Sequence, residues 1–156
     1  MPYPYAPVLL SVPHLQQPRD GDCLPVCAYM VLAYMGKKTR YWRLRWLLGT
    51  KSFGTPFLHI RYLESLGITV EAQAKGNLTT LHQHLTQNHP CIVSLQTENL
   101  PYWNRNALHA VVVVGMNENY IYLNDPELPD APIPVTQGDF DLAWLAQDER
   151  YAVLLP

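Results

Sequence analysis

Hydrophobic residues change their spacing near Gly67, and this change divides the chain into two halves. Before Gly67, apolar residues recur at helical intervals, which predicts helices over 23–35, 39–48 and 55–66. After Gly67, short apolar runs between turn residues predict strands over 68–73, 91–95, 108–116, 120–123 and 151–155. Two further helices are predicted over 78–88 and 139–146. The runs 108–116 and 120–123 form a predicted antiparallel hairpin, so helices followed by an antiparallel sheet indicate an α+β fold.

Length and composition place the chain in the class of globular proteins. A chain of 156 residues fits one domain, 1–156, whose core needs no disulfide or metal to stabilise it. Hydrophobic residues make up 48% and charged residues 15%, which excludes a disordered chain. Residues 1–8 are predicted to form an extended arm, and residues 9–15 a short edge strand that ends at Pro13.

Charge and cysteine content indicate the cellular compartment and the classes of partner to expect. The net charge of -2 gives no overall attraction to nucleic acid or to anionic membranes. Three cysteines do not form a disulfide scaffold, which favours a reducing compartment. We find no signal-peptide pattern and no run of about twenty apolar residues that would span a membrane. A cytoplasmic location is therefore expected, and the oligomeric state is left open.

Four residues supply the chemistry of a thiol-dependent acyl transfer, namely Gln17 as a side-chain amide donor, Cys23, His109 and Asp125. Cys23 begins an apolar helix that Asp22 is predicted to cap, and a thiol at a helix N-terminus is ionised more readily than a free one. His109 begins the first strand of the predicted hairpin, and Asp125 follows the second. A nucleophile, a base and a group that orients the base form a catalytic triad.

This order of residues resembles the papain-like cysteine peptidases, and among them the bacteriocin-processing (double-glycine leader) peptidase family and its stand-alone relatives. The similar segments are QPRDGDC at 17–23, LESLGI at 63–68, residues 85–93, LHAVVVVG at 108–115 and NDP at 124–126. The resemblance covers roughly 11–155. It implies a papain-like fold in which N-terminal helices pack on an antiparallel sheet.

The resemblance also implies roles for individual residues. Cys23 would be the nucleophile, His109 the general base, Asp125 the group that orients it and Gln17 the donor to the oxyanion. Gln16 is the rival donor, and only the six-residue offset from Cys23 favours Gln17. The expected function is a cysteine peptidase, or a related thiol acyl-transfer enzyme, that acts on a peptide or protein substrate and needs no cofactor or metal.

Three further residues are predicted to contact the substrate. Leu24 stands where the family has glycine directly after its cysteine, and a leucine there would crowd the cleft or indicate a different backbone. Tyr102 and Trp103 lie in the long loop that precedes His109, a position typical of a cleft wall or a flap.

Each signal has a structural alternative. Cysteine is often buried, so Cys23 could be a small core residue, as Cys27 is expected to be. The chain would then be a catalytically inactive papain-like domain that binds a peptide or protein.

Two other patterns suggest different functions. His82, His84, His89 and Cys91 resemble a metal-ligand cluster, but helical positions two apart point in nearly opposite directions, so a zinc site is not favoured. The stretch 37–46 mixes cations with aromatic residues, as nucleic-acid-binding surfaces do. A solvated basic face is preferred, with Trp42 and Trp46 packed into the core, and no nucleic-acid partner is predicted.

Overall fold

The computed structural model describes residues 5–156, in which helices cover both faces of one seven-stranded sheet. The four α-helices are α1 Cys23–Tyr34, α2 Tyr41–Leu48, α3 Leu78–Thr86 and α4 Gln137–Leu145. Two 3₁₀ helices occupy Phe57–Leu66 and Thr97–Asn99. The strands are β1 Val8–Leu9, β2 Thr69–Gln73, β3 Cys91–Gln96, β4 Leu108–Met116, β5 Tyr120–Asn124, β6 Ile133–Thr136 and β7 Tyr151–Leu155.

The sheet is antiparallel throughout, which confirms the predicted α+β fold. Its strand order is β2-β7-β3-β4-β5-β6, and β1 pairs with the C-terminal end of β4. Strand β4 therefore lies near the centre, between β3 and β5. This position explains why the run of valines in β4 is buried on both sides.

Alternate residues of β4 belong to two different cores. Val112 and Val114 pack with α1, α2 and the longer 3₁₀ helix, whereas Val111 and Val113 pack with α3 and α4. Successive side chains of a strand point to opposite faces, so one strand contributes to both layers. The helices of the first half of the chain and those of the second half thus cover opposite faces of the sheet.

The predicted bounds of β4 and β7 are confirmed, and the other predicted helices and strands in 23–155 agree with the structure within a few residues. Strand β6 was not predicted, because it contains Pro134. Proline has no N–H for the ladder, but among the strands in 5–156 β6 pairs only with β5, so it is an edge strand and the missing donor faces outward.

The prediction for the N-terminal segment is wrong in part. Residues 1–4 of the expected extended arm lie outside the described residues. The expected strand over 9–15 is replaced by the two-residue strand β1, which pairs with Gly115 and Met116. The segment 55–66 is helical, but its hydrogen bonding is that of a 3₁₀ helix from Phe57.

Trp42 and Trp46 do not pack into the core, so that prediction is also wrong. Their exposed fractions are 59% and 80%. Helix α2 buries Leu44 and Leu48, which are four residues apart on one face. The tryptophans lie two positions away from these leucines, and this offset turns them to the opposite, solvent-facing side.

Candidate active site

Cys23 is the first residue of α1, and the turn that precedes it is held by close packing. Gly21 has φ of +85°, a left-handed conformation that glycine adopts without strain. A Cβ atom at Gly21 would lie 2.6 Å from the carbonyl oxygen of Ser52, because this turn packs directly on the loop at 51–54. The Cys23 thiol is half-buried and free. The backbone thus presents a free thiol at a helix N-terminus.

Asp22, the neighbour of Cys23, ties the start of α1 to α2. Its side chain is completely buried and accepts hydrogen bonds from the Tyr41 hydroxyl and from Arg45 Nε, the latter at 3.2 Å. The predicted capping bond is absent, because these two donors from α2 occupy the carboxylate instead. Burial, and then the bond to Asp22, raise the pKa of the Tyr41 hydroxyl far above its ordinary value, so it remains a donor.

His109 and Asp125 meet at one edge of the β4–β5 hairpin. His109 is the second residue of β4, and Asp125 directly follows the last residue of β5. Since the two strands are antiparallel, the start of β4 and the end of β5 lie side by side. His109 Nε2 lies 2.7 Å from Asp125 Oδ1, and both side chains are buried. The sequence order of the hairpin therefore brings this predicted pair together.

Both oxygens of Asp125 are fully used as acceptors. Besides His109, Oδ1 accepts from the backbone N–H of Glu127 at 2.9 Å. Oδ2 accepts from the Tyr102 hydroxyl at 2.7 Å and from Trp103 Nε1 at 2.9 Å. Four donors around one buried carboxylate favour its ionised form and fix its orientation.

The pKa values of the pair move in opposite directions. Burial lowers the pKa of His109, but hydrogen bonds with Asp125 and Cys23 and the charges of both outweigh it and raise the pKa from 6.5 to about 9. Burial raises the pKa of Asp125, but the bonds and charge of His109 outweigh it, with help from Tyr102 and Trp103, and keep the pKa below 3.8. The raised pKa of His109 and the lowered pKa of Asp125 both favour an imidazolium beside a carboxylate at neutral pH.

Cys23 and His109 line the same cavity, which has a volume of about 290 Å³. Asp125 is the hydrogen-bond partner of Nε2 of the imidazole, so Nδ1 is the ring nitrogen that the carboxylate leaves free. Leu24 is only 1% exposed and belongs to the core, although it contributes to the cavity wall. The leucine after the cysteine therefore leaves open space beside the thiol.

Gln17 lies next to the loop that follows Asp125. Its backbone N–H donates to the carbonyl of Pro126 at 2.6 Å, and its side-chain Nε2 donates to the Arg19 carbonyl at 3.1 Å. Its Oε1 is buried without a hydrogen-bond partner. The rival residue Gln16 is exposed, and its side chain donates to the carbonyl of Glu127. Gln17 is thus the more buried of the two amides.

Tyr102 and Trp103 lie behind the histidine in the described structure. Each donates to Asp125, and the Trp103 ring packs edge-on against His109 with ring centroids 4.8 Å apart. Their predicted contact with substrate stays a prediction. The sequence placed both in the loop before His109, but the bonds to Asp125 were not foreseen. Neither was the loop 53–57, which forms a wall of the cavity.

None of the other cysteines and histidines in 5–156 lines this cavity. Cys27 and Cys91 are completely buried, and burial is the main cause that raises the pKa of both thiols. Within 5–156, no group of three or more histidine, cysteine or acidic residues has the arrangement of a metal site. Over the same residues, no helix combines the length and the hydropathy needed to cross a bilayer.

Comparison with known proteins agrees with this geometry. The profile of the peptidase C39 family matches residues 11–147. The chain belongs to the peptidase C39 family. This is a family of cysteine peptidases, so the predicted resemblance and enzyme class are confirmed. A comparison with the curated proteins finds no match.

Solved structures share the fold of this C39 member at low sequence identity. A C39-like peptidase from Bacillus anthracis has a TM-score of 0.81 at 15% identity and covers 97% of this chain and 98% of its own. The peptidase domain of Streptococcus ComA, a bifunctional ABC transporter of a quorum-sensing pathway, has a TM-score of 0.73 at 22% identity, with 92% and 97% covered. A double-glycine-motif protease from an AMS/PCAT transporter, in complex with the leader peptide, has a TM-score of 0.71 at 20% identity, with 96% and 97% covered.

Proposed function

We propose that this chain hydrolyses a peptide or protein substrate with Cys23 as nucleophile, His109 as acid and base, and Asp125 as the residue that orients His109. The observation that carries the proposal is the cavity that Cys23 and His109 line together, with the buried bond of 2.7 Å between His109 and Asp125 behind it. Membership of the C39 family supports peptide hydrolysis. The leader peptide bound to the double-glycine-motif protease supports a peptide as substrate.

The first step is acylation of Cys23. The raised pKa of His109 favours an imidazolium that stabilises a thiolate at the neighbouring Cys23. The thiolate attacks the carbonyl carbon, and the C–N bond of the tetrahedral intermediate breaks as His109 donates its proton to the leaving amine. A thioester and a free amine result.

The second step is hydrolysis of the thioester. His109, now neutral, removes a proton from water, which attacks the thioester carbon and releases the acid. The Cys23 thiolate and the His109 imidazolium are thereby restored. Asp125 accepts a hydrogen bond from Nε2–H throughout, so Nδ1 is the nitrogen that gives and takes protons.

Gln17 is the proposed side-chain donor to the oxyanion, together with the backbone N–H of Cys23. One hydrogen of Gln17 Nε2 is used by the Arg19 carbonyl, and the other is available to the tetrahedral intermediate. The bond from the Gln17 backbone to Pro126 connects this donor to the loop that begins at Asp125. Movement of Gln17 relative to the acid–base pair is restricted by that bond.

The pH dependence of Cys23 alkylation tests the nucleophile and its partner. Iodoacetamide would be applied to the wild type and to His109→Ala, and the modified cysteine identified by mass spectrometry. We expect fast labelling of Cys23 below pH 7 in the wild type and its loss in His109→Ala, because the imidazolium stabilises the thiolate. His82→Ala is the matched control, since His82 contacts the Ala6 carbonyl and lies outside the site.

An ordinary thiol profile in both the wild type and His109→Ala would overturn the proposed mechanism. It would favour the alternative of an inactive domain that binds a peptide.

Gln17→Ala separates oxyanion stabilisation from thiol ionisation. Loss of one oxyanion donor is expected to lower kcat by about 10²–10³, with little change in KM. Iodoacetamide alkylation forms no oxyanion, so its rate should stay at the wild-type value. Gln16→Ala is the matched control, and a larger loss of kcat in Gln16→Ala than in Gln17→Ala would assign the role to Gln16 instead.

A further inference from the structure

We propose that the exposed side of helix α2, together with the segment that precedes it, binds the surface of an anionic phospholipid bilayer. This surface, called the α2 face, consists of Lys37, Lys38, Arg40, Trp42, Arg43 and Trp46. The proposal goes beyond peptide hydrolysis and does not depend on the roles of Cys23, His109 or Asp125. It assigns a partner to a part of the molecule that the proposed mechanism does not use.

The first argument is the distribution of charge. Seven of the eleven lysines and arginines lie in 23–63, and this stretch contains no aspartate or glutamate. Within the described residues 5–156, Arg45 is paired with Asp22, but the four cations of the α2 face form no salt bridge. Unpaired cations that lie close together attract an anionic surface, even though the whole chain has a net charge of -2.

The second argument is the exposure of two tryptophans on the α2 face. Trp42 and Trp46 are 59% and 80% exposed, and they lie about one helical turn apart. Tryptophan is enriched at bilayer interfaces, where its ring enters the headgroup region and its N–H stays hydrated. Leu44 and Leu48 hold the other side of α2 in the core. The helix can therefore present both rings to a bilayer while it stays folded on the protein.

The third argument is a cavity of about 610 Å³ at the N-terminal end of the α2 face. Leu32 and Ala33 of α1 contribute apolar wall, and Lys37, Lys38 and Arg40 line the same cavity. No acidic residue of 5–156 is part of the lining. Lysine and arginine both bind phosphate, so this cavity suits a phospholipid headgroup, whose glycerol and ester groups would meet the apolar wall.

The surroundings of Trp42 favour a bilayer over single-stranded nucleic acid. The guanidinium groups of Arg19 and Arg45 lie over its ring, 4.9 Å and 5.6 Å from the ring centroid. Single strands bind basic, aromatic surfaces by stacking their bases on aromatic rings. Bases that stack on Trp42 would have to displace these guanidinium groups. Contact of the ring edge with lipid headgroups would leave them in place.

Co-sedimentation of the full chain with large unilamellar vesicles tests the proposal. Vesicles of phosphatidylcholine alone would be compared with vesicles that also contain phosphatidylglycerol, each at low and at high salt. We expect binding to the anionic vesicles at low salt, weaker binding at high salt and no binding to phosphatidylcholine alone. The reason is that salt screens the attraction between exposed cations and an anionic surface.

Two variants test the contribution of charge. Lys38→Gln and Arg43→Gln should each lower the partition coefficient on anionic vesicles about fivefold, since each removes one cation near the bilayer surface. Lys75→Gln is the matched control, because Lys75 is also exposed but lies between β2 and α3. It changes the net charge by the same amount, so unchanged binding in Lys75→Gln would show that the local cations matter.

Trp46→Ala separates entry of the ring into the bilayer from charge attraction. We expect about tenfold weaker partitioning, because a large apolar side chain no longer leaves water. Brominated phosphatidylcholine in the anionic vesicles should quench the tryptophan fluorescence of the wild type, and less so that of Trp46→Ala. Leu145→Ala is the matched control, since Leu145 is 60% exposed but lies on α4, which covers the opposite face of the sheet. It should bind as the wild type does.

Three results would each overturn the proposal. The first is no binding to anionic vesicles at low salt, or equal binding to neutral and anionic vesicles. The second is wild-type binding in Lys38→Gln, Arg43→Gln and Trp46→Ala alike. The third is salt-sensitive binding of a single-stranded oligonucleotide without any binding of vesicles, which would assign the α2 face to nucleic acid.

Discussion

Replacement of Asp125 by asparagine is the sharpest perturbation of the proposed acid–base pair, because every acceptor position of Asp125 is in use. Oδ1 accepts hydrogen bonds from His109 Nε2 and from the Glu127 N–H. Oδ2 accepts hydrogen bonds from the Tyr102 hydroxyl and from Trp103 Nε1. Asparagine has one acceptor oxygen and one donor NH₂ group. Whichever way the amide is turned, its NH₂ group faces two former donors.

The two orientations of the amide fail differently. With NH₂ at the Oδ1 position, it can donate to His109 Nε2 only if the imidazole proton moves to Nδ1, and the Glu127 N–H loses its acceptor. With NH₂ at the Oδ2 position, the Tyr102 hydroxyl can rotate to accept, but Trp103 Nε1 cannot. Each orientation leaves a buried donor unpaired and removes the negative charge from the histidine.

The magnitudes follow from the loss of this charge. Breaking a buried, hydrogen-bonded ion pair costs about 3–5 kcal/mol of unfolding free energy. The difference between the His109 pKa of about 9 and its ordinary 6.5 is worth about 3 kcal/mol. If Asp125→Asn removes most of it, the ratio of the thiolate–imidazolium pair to the neutral pair falls by up to a few hundredfold.

The assay is iodoacetamide labelling of Cys23 at pH 6, together with thermal unfolding of the same samples. We expect Asp125→Asn to lower the labelling rate at least about tenfold, since an ordinary thiol is rarely ionised at that pH. Buried Cys27 and Cys91 report on folding, because they are labelled only if the chain opens. Asp130→Asn is the control, since Asp130 is exposed.

A labelling rate in Asp125→Asn equal to that of the wild type, with Cys27 and Cys91 still protected, would refute this reasoning. It would mean that Asp125 does not sustain the charge on His109.

Three further predictions concern stability. The raised pKa of His109 stabilises the fold fully below pH 6.5, and this stabilisation is lost as pH rises through about 9, so urea unfolding should show the advantage of the wild type over His109→Ala shrink by about 3 kcal/mol across that interval. Gly21→Ala should destabilise the fold by about 1–3 kcal/mol more than Gly36→Ala in thermal unfolding. Both glycines have positive φ, but of the two only Gly21 has backbone atoms where a Cβ would lie. Equal effects of the two substitutions would contradict the close packing at Gly21. Trp144→Ala should cost about 3–5 kcal/mol because Trp144 is fully buried, and Trp46→Ala less than about 0.5 kcal/mol; similar losses of Tm in both would count against the described core.

Local patterns in the sequence predicted much of the fold. The apolar runs of β4 and β7 gave those strands their observed bounds, because a strand buried on both faces needs a continuous apolar run. The sequence around Cys23, His109 and Asp125 predicted the helix or hairpin position of each residue. The contact between His109 and Asp125 follows from strand pairing within one hairpin.

The tertiary structure alone decided the features that depend on contacts distant in the chain. Asp22 has the sequence context of a helix cap, yet two donors from α2 claim its carboxylate. Trp42 and Trp46 have the spacing of a buried face, but Leu44 and Leu48 are the residues of α2 that pack into the core, beside α1 and the longer 3₁₀ helix. A periodic pattern identifies the residues that share a face of a helix and does not identify the face that meets its neighbour, which depends on where the other elements lie.

The surroundings of the proposed site follow the same rule. The hydrogen bonds of Tyr102 and Trp103 to Asp125, and the placement of the loop 53–57 beside Cys23, join segments that are 22 or more residues apart in sequence. No local propensity specifies such contacts. The sequence by itself therefore determined the elements and the chemically competent residues. The packed fold determined the charge state of His109, the support of Asp125 and the shape of the cavity, because burial and charge interactions depend on the whole three-dimensional surroundings.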